Sequence, residues 1–245
     1  MSSEADRPRL NRVLLKLSGE ALAGEEKSGL NAPMVRFIAE QIARVAREGV
    51  QIAVVVGGGN FIRGDRLSKE SGIDQAVADQ MGMLATLINS LALQEAIEKQ
   101  GVLTRVMSAV TVQAVCEPYV RRRAVRHLEK GRVVIVAAGT GNPFFTTDTA
   151  AVLRALEISA DALVKATKVD GVYDKDPVKF GDALRYSKVT YDDAISHKLG
   201  VMDQTAFTMC EEHGLPIIVV SVFEEGSMLK AVMGENIGTW VGGEK

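Results

Sequence analysis

The stretch from Ala137 to Ala151 reads AAGTGNPFFTTDTAA and connects a strand to a helix. The residues before it, Val133 to Val136, are apolar and β-branched, which is typical of a buried strand. Good helix formers follow from Thr149 to Ile158. A buried strand that leads through a loop into a helix is the repeating unit of a parallel sheet, so this stretch predicts an α/β protein.

The same stretch has the residue types of a pocket that binds an anion and a flat aromatic ring. Gly139 and Gly141 allow a ligand to approach the backbone closely, and the polar run from Thr146 to Asp148 stands where the next helix begins. Such a helix start can simply be capped by these side chains, or it can bind an anion. Phe144 and Phe145 can stack on a flat base, or they can pack into the core. The residues favour a nucleotide pocket but leave the capped loop open.

Further apolar runs alternate with amphipathic segments along the chain. The predicted fold is α/β, with a mostly parallel central sheet covered by helices on both faces. Its ligand loops are expected at the carboxyl ends of the strands, on one side of the sheet. A short edge strand is predicted at Gly238 to Val241. The main predicted strands, besides the one at Val133, are Arg12 to Leu17, Gln51 to Val56, Leu103 to Ser108, Ala162 to Lys165 and Pro216 to Val222.

Composition excludes several classes of protein. The chain has 245 residues, 47% of them hydrophobic, which is enough for one large domain or two small ones. Its net charge of -2 gives no electrostatic footprint for nucleic acid. No apolar run reaches the roughly 20 residues of a membrane helix. Cys116 and Cys210 form no metal-ligand or disulfide pattern, so a cytoplasmic protein is expected.

Common nucleotide signatures are absent from the sequence, and less familiar anion-binding loops stand in their place. The chain has no Gly-Lys dipeptide and therefore no P-loop. Lys16 ends a predicted strand beside Ser18 and Gly19, where it could hold a phosphate or be a surface lysine at a turn. Arg63 follows the run Gly57-Gly58-Gly59 and could clamp a phosphate. Asp79, taken alone, is an ordinary solvated helix residue.

Five motifs in order resemble bacterial UMP kinases, a group within the amino acid kinase superfamily, from Arg12 to Gly238. The glycine-bearing first and last motifs are shared widely in that superfamily, whereas the run from Gly139 to Asp148 points to UMP. The motifs are LLKLSGEAL from Leu14, GGGN from Gly57, DQMGMLAT from Asp79, GTGNPFFTTD from Gly139 and KATKVDGVY from Lys165.

The resemblance implies a set of site residues. It implies catalytic roles for Lys16, Arg63 and Asp148. The implied ATP-binding residues are Lys16, Leu17, Ser18, Gly19, Gly59, Arg63, Thr167, Tyr173 and Asp176. The implied UMP-binding residues are Gly58, Asp79, Thr140, Gly141, Asn142, Pro143, Phe144, Phe145, Thr146 and Thr147. Asp203 also matches a family aspartate, with no role assigned to it.

The resemblance further implies one amino acid kinase-like domain over residues 11–245, preceded by a flexible tail at 1–10. Within it, residues 11–160 are expected to bind UMP and residues 161–245 to form an ATP-binding lobe. It implies Mg²⁺ held mainly through ATP phosphates, with no metal ligand in the protein, and a homohexamer inhibited by UTP. The family loop linked to GTP activation is often glycine-rich, whereas residues 23–29 here read AGEEKSG, which leaves GTP activation open.

The implied reaction is transfer of the γ-phosphoryl group of ATP to UMP. Lys16, Arg63 and Mg²⁺ would supply the positive potential, with Lys165 as a further candidate, and Asp148 would orient lysines or the metal. Two alternatives stay open. One is a kinase of the same superfamily that acts on a carboxylate or carbamate, and the other is a non-enzymatic nucleotide- or oxoanion-binding protein of the same fold.

Overall fold

A computed structural model describes residues 9–26, 28–197, 199–200 and 202–243, and of residues 65 and 66 the backbone alone. Within these residues the strands form a single nine-stranded sheet. The strands are β1 (Arg12–Leu17), β2 (Gln51–Val56), β3 (Thr104–Ser108), β4 (Glu117–Pro118), β5 (Val133–Ala137), β6 (Ala162–Thr167), β7 (Lys188–Val189), β8 (Ile217–Ser221) and β9 (Thr239–Val241).

Helices cover both faces of this sheet, as the alternation of apolar and amphipathic segments predicts. In chain order they are α1 (Gly19–Ala23), α2 (Ala32–Arg47), α3 (Gly64–Ser71), α4 (Gln75–Glu98), α5 (Arg121–Glu129), α6 (Thr147–Glu157), α7 (Tyr191–Ser196), α8 (Gln204–His213) and α9 (Ser227–Met233).

The strand order is β4-β3-β5-β2-β1-β6-β8-β9-β7, and all pairs are parallel except β8 with β9. The predicted α/β class and the mostly parallel sheet are therefore confirmed. Because β5, β2, β1 and β6 are parallel neighbours, the loops after Leu17, Val56, Ala137 and Thr167 lie at one edge of the sheet. These are the loops that the sequence assigns to ligands.

Each strand face feeds a different core cluster because side chains alternate along a strand. In β1, Leu15 packs with α2, α4 and α9, whereas Leu14 packs on the opposite face with α5, α6 and α8. Strand β5 is buried along its whole length, which explains its unbroken apolar run. Leu10 is also buried and donates its backbone N–H to Val232, so the chain is packed from that point on.

Two features differ from the sequence predictions. The segment at Thr239–Val241 is not an edge strand, because it pairs with β8 on one side and with the two-residue β7 on the other. The structure also has two short helices, α1 and α3, where the sequence predicts none. The sequence also predicts a long helical stretch from Asp74 to Gln100, and the structure confirms it as one continuous helix, α4, capped by the Asp74 side chain.

Helix α4 has two different faces. Its inner face buries Thr86, Asn89 and Ser90 against the loops and the sheet, whereas Leu84 and Ile88 on the outer face are half exposed. By length and composition alone α4 could cross a membrane, but a core helix of a soluble protein passes the same test. The buried polar side chains show that α4 serves as a core helix in this fold.

Candidate active site

The centre of the site is a carboxylate between two lysines at the ends of neighbouring strands. Lys16 on β1 and Lys165 on β6 are paired in register, so their side chains leave the same face of the sheet side by side. Asp148, in the first turn of α6, lies between them. Its Oδ1 is 2.7 Å from Lys16 Nζ, and its Oδ2 accepts a 2.7 Å hydrogen bond from Lys165 Nζ. The cluster carries one net positive charge.

Burial makes this cluster electrostatically strong. The side chains of Lys16, Asp148 and Lys165 are only 10%, 15% and 12% exposed. Burial acts to raise the pKa of Asp148, but the charges of Lys16 and Lys165 outweigh it and hold that pKa below its ordinary value. Burial, together with the charge of Lys16, lowers the pKa of Lys165 although Asp148 opposes the shift. Asp148 is therefore a firmly ionised group between two cations.

Capping contacts fix the position of Asp148 on α6. Thr146 is the N-cap of α6, and its Oγ1 accepts hydrogen bonds from the backbone N–H groups of Asp148 and Thr149. Asp203, the N-cap of α8, accepts hydrogen bonds from both the Thr146 and Thr149 hydroxyls. The carboxylate of Asp203 therefore ties the start of α6 to the start of α8. This gives the aspartate a structural role that the sequence left unassigned.

The glycine loops after β1 and β2 pack directly against each other. A Cβ atom on Gly19 would lie 2.6 Å from the Gly57 carbonyl oxygen, and one on Gly58 would lie 2.6 Å from the Gly82 carbonyl oxygen. A Cβ on Gly59 would instead meet no atom closer than 3.8 Å. Close packing within the protein thus accounts for Gly19 and Gly58, and Gly59 is the member of the run with room beside it.

Leu17 and Ser18 support this packing. The Leu17 side chain is fully buried, and its carbonyl accepts a hydrogen bond from the Gly57 N–H. Ser18 is the N-cap of α1 and accepts from the Ala21 N–H at 3.3 Å. Because its side chain is buried and its carbonyl is hydrogen-bonded to Gly57, Leu17 anchors the loop to the core.

The loop from Ala138 to Thr146 combines backbone strain with exposed aromatic rings. Ala138 and Phe144 adopt positive φ angles of 61° and 69°, in a region that costs an L-residue roughly 1–2 kcal/mol. Phe144 and Phe145 are 73% and 54% exposed. The alternative in which the Phe pair packs into the core is therefore wrong. Asn142 and Thr140 form a local turn through the Thr140 hydroxyl.

The other members of this loop are also placed near neighbouring elements. Gly141 has a φ of 85° and packs on Ala109, which follows β3. Pro143 is half-buried, and Thr147 begins α6, where its hydroxyl lies near Gly57. The loop therefore reaches from the end of β5 to the glycine run after β2.

Asp79 on α4 is not a free, solvated helix residue. Its Oδ2 accepts the backbone N–H of Phe144 at 2.8 Å, and its Oδ1 accepts from the Gln75 side chain at 2.8 Å. A Cβ atom on Gly64 would lie 2.5 Å from Oδ1, so the carboxylate is enclosed by the start of α3. The structure thereby brings Asp79 to the loop with which the resemblance groups it.

Arg63 lies apart from the lysine pair. Its guanidinium is 59% exposed and forms an ion pair with Glu20 on α1, which also contacts Lys168 at 3.4 Å. These three residues and Gly59 line an open cleft of about 910 Å³, and the lysine cluster is not part of its lining. The cleft is wide enough for a nucleotide, since ligand pockets run from about 300 to 1,000 Å³.

The remaining predicted ATP residues follow β6. Thr167 ends that strand, and its hydroxyl donates to the Val169 carbonyl. Tyr173 donates to Asp170, and Asp176 accepts from the Val178 N–H at 3.0 Å. The hydrogen bonds described for Tyr173 and Asp176 join residues of the same loop. Their assignment to ATP stays a prediction.

Comparison with known proteins identifies the family. Residues 11–221 match the model of the amino acid kinase family. The chain belongs to the amino acid kinase family. Its structure is similar to the UMP kinase from Bacillus anthracis, with 40% identity, a TM-score of 0.93 and 98% of both chains covered.

Two other solved structures are also similar to this amino acid kinase. The UMP kinase from Ureaplasma parvum has 33% identity and a TM-score of 0.89, with 96% of this chain and 100% of that chain covered. The uridylate kinase from Archaeoglobus fulgidus has 30% identity and a TM-score of 0.73, with coverage of 94% and 99%.

The contacts of Lys165 and Asp203 in this amino acid kinase were not predicted from the sequence. Lys165 is a candidate only because it stands at a strand end. Its position beside Lys16 depends on the register of β1 with β6. Asp203 carried a helix-cap signal just before a helical stretch. Its bonds to Thr146 and Thr149 span more than 50 residues of sequence and leave no local signal.

The carboxylate, histidine and cysteine side chains determine how magnesium can bind. Among the described residues of this amino acid kinase, no group of three His, Cys, Asp or Glu side chains could hold a metal ion. Both oxygens of Asp148 already face lysines. Mg²⁺ commonly binds through substrate phosphates and waters with only one or two carboxylates, so these residues fit an ion that arrives with a nucleotide.

The depressed pKa of Asp148 predicts a pH-dependent role in stability. An aspartate with a pKa below its unfolded value of about 3.9 stabilises the fold above that pH, and this contribution is lost as pH falls through the folded pKa. Asp148→Asn should therefore unfold more easily in urea at pH 7, by about 3 kcal/mol, because two buried lysines lose their counter-charge. The difference from wild type should shrink below about pH 4.

Asp182→Asn is the matched control, because Asp182 is 78% exposed in its ion pair with Lys175. Its urea curves should follow those of wild type at every pH. A deficit for Asp148→Asn that stays constant from neutral to acid pH would show that Asp148 does not stabilise the fold as an ionised group.

Proposed function

We propose that this amino acid kinase transfers the γ-phosphoryl group of ATP to the 5′-phosphate of UMP, giving UDP and ADP. The observation that carries the proposal is the buried Lys16–Asp148–Lys165 cluster. At the carboxyl edge of the sheet the lysines of the cluster lie on β1 and β6, the glycine loop after β2 is next to them, and the Phe144–Phe145 loop after β5 follows on the far side of that glycine loop. The three similar structures, two UMP kinases and one uridylate kinase, support the same substrate.

The proposed mechanism relies on charge and alignment. The two substrates are both strongly anionic, so their approach needs cancelled charge and enforced geometry more than covalent chemistry. Lys16 and Lys165 offer two ammonium groups in a site shielded from water, where they act more strongly than in solution. Asp148 holds both groups in place from one side, so Lys16 and Lys165 present their remaining N–H donors to the transferring phosphoryl group.

A general base is not required for this reaction. The second pKa of a phosphate monoester is about 6, so the attacking oxygen of UMP is already ionised near neutral pH. Asp148 is ionised and paired with two lysines, which suits an orienting role better than proton abstraction. Mg²⁺, bound through ATP phosphate oxygens, would neutralise charge on the leaving ADP.

The two substrates are assigned to opposite sides of the lysine cluster. On the ATP side we place the loop after β1, Gly59, Arg63 and the loop after β6 with Thr167, Tyr173 and Asp176. Lys168, which shares Glu20 with Arg63, lies on the same side. On the UMP side we place Gly58, Asp79 and residues Thr140 to Thr147. The exposed rings of Phe144 and Phe145 support a base-stacking role there.

An ADP-release assay tests this function directly. The purified chain is incubated with Mg-ATP and, separately, UMP, CMP, AMP or N-acetylglutamate. UMP should support the fastest ADP release. Equal rates with UMP and CMP would remove the specificity for uracil. A rate only with the carboxylate substrate would favour another kinase of the superfamily, and nucleotide binding without ADP release would favour a binding protein.

Lys16→Ala should lower kcat by about 10²–10³ and change UMP affinity little. The reason is that a charge acting on the moving phosphoryl group is felt most in the transition state. The measurement is steady-state ADP release together with calorimetric UMP titration. Lys99→Ala, at a lysine that is 70% exposed at the end of α4, serves as control and should match wild type. Near-normal turnover of Lys16→Ala would make Lys16 a structural lysine.

Asp79→Asn should weaken UMP binding by about 1.5 kcal/mol and leave ATP binding unchanged. The estimate lies at the low end for bonds to charged groups, because the Phe144 N–H that Asp79 accepts is accessible to solvent. Asparagine keeps one acceptor oxygen and so cannot serve both the Phe144 N–H and the Gln75 amide. Titration of UMP and ATP against both proteins measures the difference.

Asp74→Asn is the control for Asp79, because asparagine retains the helix-capping oxygen that Asp74 supplies to α4. It should bind both nucleotides as wild type does. Equal weakening of UMP and ATP in Asp79→Asn would instead indicate a general effect on the fold of the site.

We further propose self-association through the outer face of α4, as part of a homohexamer. Val77, Leu84 and Ile88 on that face are each about half exposed and follow helical spacing, so they form an apolar stripe. Leu84→Glu should shift the mass measured by light scattering toward that of the 26.3 kDa monomer. Val178→Glu, at a residue that is 84% exposed in a loop, should not. A monomeric wild type would refute the proposal.

The remaining proposals concern regulation and location. UTP inhibition is proposed by family resemblance, whereas GTP activation stays open because residues 23–29 differ from the family pattern. The cytoplasm is proposed as the compartment, and a role in pyrimidine nucleotide synthesis follows from the proposed product UDP. The free thiols of Cys116 and Cys210 are compatible with a reducing compartment.

A further inference from the structure

We infer that Thr86 and Asn89, on the inner face of α4, are positioning residues that set the spacing between the substrate loops. The inference rests on the proposed function. Neither side chain lies among the residues assigned to a nucleotide, and both are buried, at 3% and 0% exposure. Each is hydrogen-bonded to the backbone of a different loop, so one turn of helix holds both loops.

Thr86 holds the start of the loop from Ala138 to Thr146, which we call the UMP-side loop because UMP is proposed to bind there. Its Oγ1 accepts the backbone N–H of Ala138 at 2.7 Å and donates to the Met83 carbonyl within α4. Ala138 is the first residue after β5, is 2% exposed and has a φ of 61°. Its N–H is therefore bonded to a side chain of α4 at the residue where the chain turns out of β5. The threonine hydroxyl is the acceptor that this strained residue needs, because a buried unpaired N–H is costly.

Asn89 holds the glycine loop after β2 together with Asn60. The Asn89 amide donates to the Gly57 carbonyl and to Asn60 Oδ1, each at 2.7 Å. Asn60 returns a 3.0 Å bond to Asn89 Oδ1 and donates to the Gly29 carbonyl at 2.7 Å. All four amide hydrogens of the pair are thus used. Asn60 Oδ1 also packs on Gly19, since a Cβ there would lie 2.5 Å away.

This arrangement links both substrate sides to one rigid body. The glycine loop at Gly57 and the UMP-side loop at Ala138 are hydrogen-bonded to residues three positions apart on a continuous 24-residue helix, and Gly19 packs on Asn60, the partner of Asn89. A fully satisfied buried network has a single favoured geometry. Because phosphoryl transfer between two bound nucleotides depends strongly on alignment, the helix acts on the reaction through these loops and without touching a substrate.

The test compares Thr86→Val, Thr86→Ser and Ser90→Ala in the full-length protein. Valine keeps the shape of threonine but removes the acceptor for the Ala138 N–H, whereas serine retains it. Ser90→Ala is the matched control, since the Ser90 hydroxyl is equally buried but donates only to the Thr86 carbonyl within α4. Thr86→Ala is measured in parallel so that the result does not depend on one variant folding.

Two readouts are made on each protein. The first is amide hydrogen exchange at Ala138, which does not depend on catalysis, and it should accelerate at least about tenfold in Thr86→Val and Thr86→Ala when one buried hydrogen bond is lost. The second is ADP release, in which the KM for UMP should rise roughly three- to tenfold while the KM for ATP stays within about twofold. Thr86→Ser should restore both values, and Ser90→Ala should not alter them.

Asn89→Leu extends the test to the other loop. Because Gly57 lies between the two substrate sides, this variant should lower kcat and raise the KM for both nucleotides. Unchanged Ala138 exchange in Thr86→Val, or equal changes in Thr86→Val and Ser90→Ala, would overturn the inference. A wild-type protein that releases no ADP with UMP would overturn the proposed function instead, and the exchange experiment would still decide whether Thr86 holds the loop.

Discussion

The site depends on one carboxylate that neutralises two lysines. Without Asp148, the buried ammonium groups of Lys16 and Lys165 would repel each other at the ends of adjacent strands. With it, they form a compact cation at the carboxyl edge of a parallel sheet, the edge where such sheets bind ligands. The position of Asp148 is itself secured by the N-cap of α6 and by Asp203 at the start of α8.

Much of the sheet could be predicted because its strands are buried on both faces. Strands β1 and β2 begin and end at the predicted residues, since each is a mainly apolar run that is followed by a serine or a glycine. Helices α1 and α3 were not predicted because neither shows a long apolar periodicity, and α1 spans only five residues. The misplaced edge strand has a different cause, because the pairing of the two-residue strand β7 with β9 joins residues about 50 positions apart and leaves no local signal.

The chemistry of the site was predictable only where it is local. Lys16, Asp148 and the Phe pair stand in distinctive stretches, whereas the pairing of Lys165 with Asp148 and the bonds of Asp203 require the register of strands far apart in sequence. The glycine run shows a further limit of the sequence. Its bare backbone suggests a ligand, but the structure adds a packing reason for Gly58, because α4 approaches it closely.

The loop from Ala138 to Thr146 shows how a strained and exposed segment can still hold a defined shape. Two of its non-glycine residues have positive φ angles, and its two aromatic rings face solvent. Anchors on α4 fix Ala138 and Phe144, and capping by Thr146 fixes the end at α6. The two ends of the loop are therefore held by helices on opposite faces of the sheet. Its shape is set by packing that lies beneath it, which leaves the exposed rings free to meet a ligand.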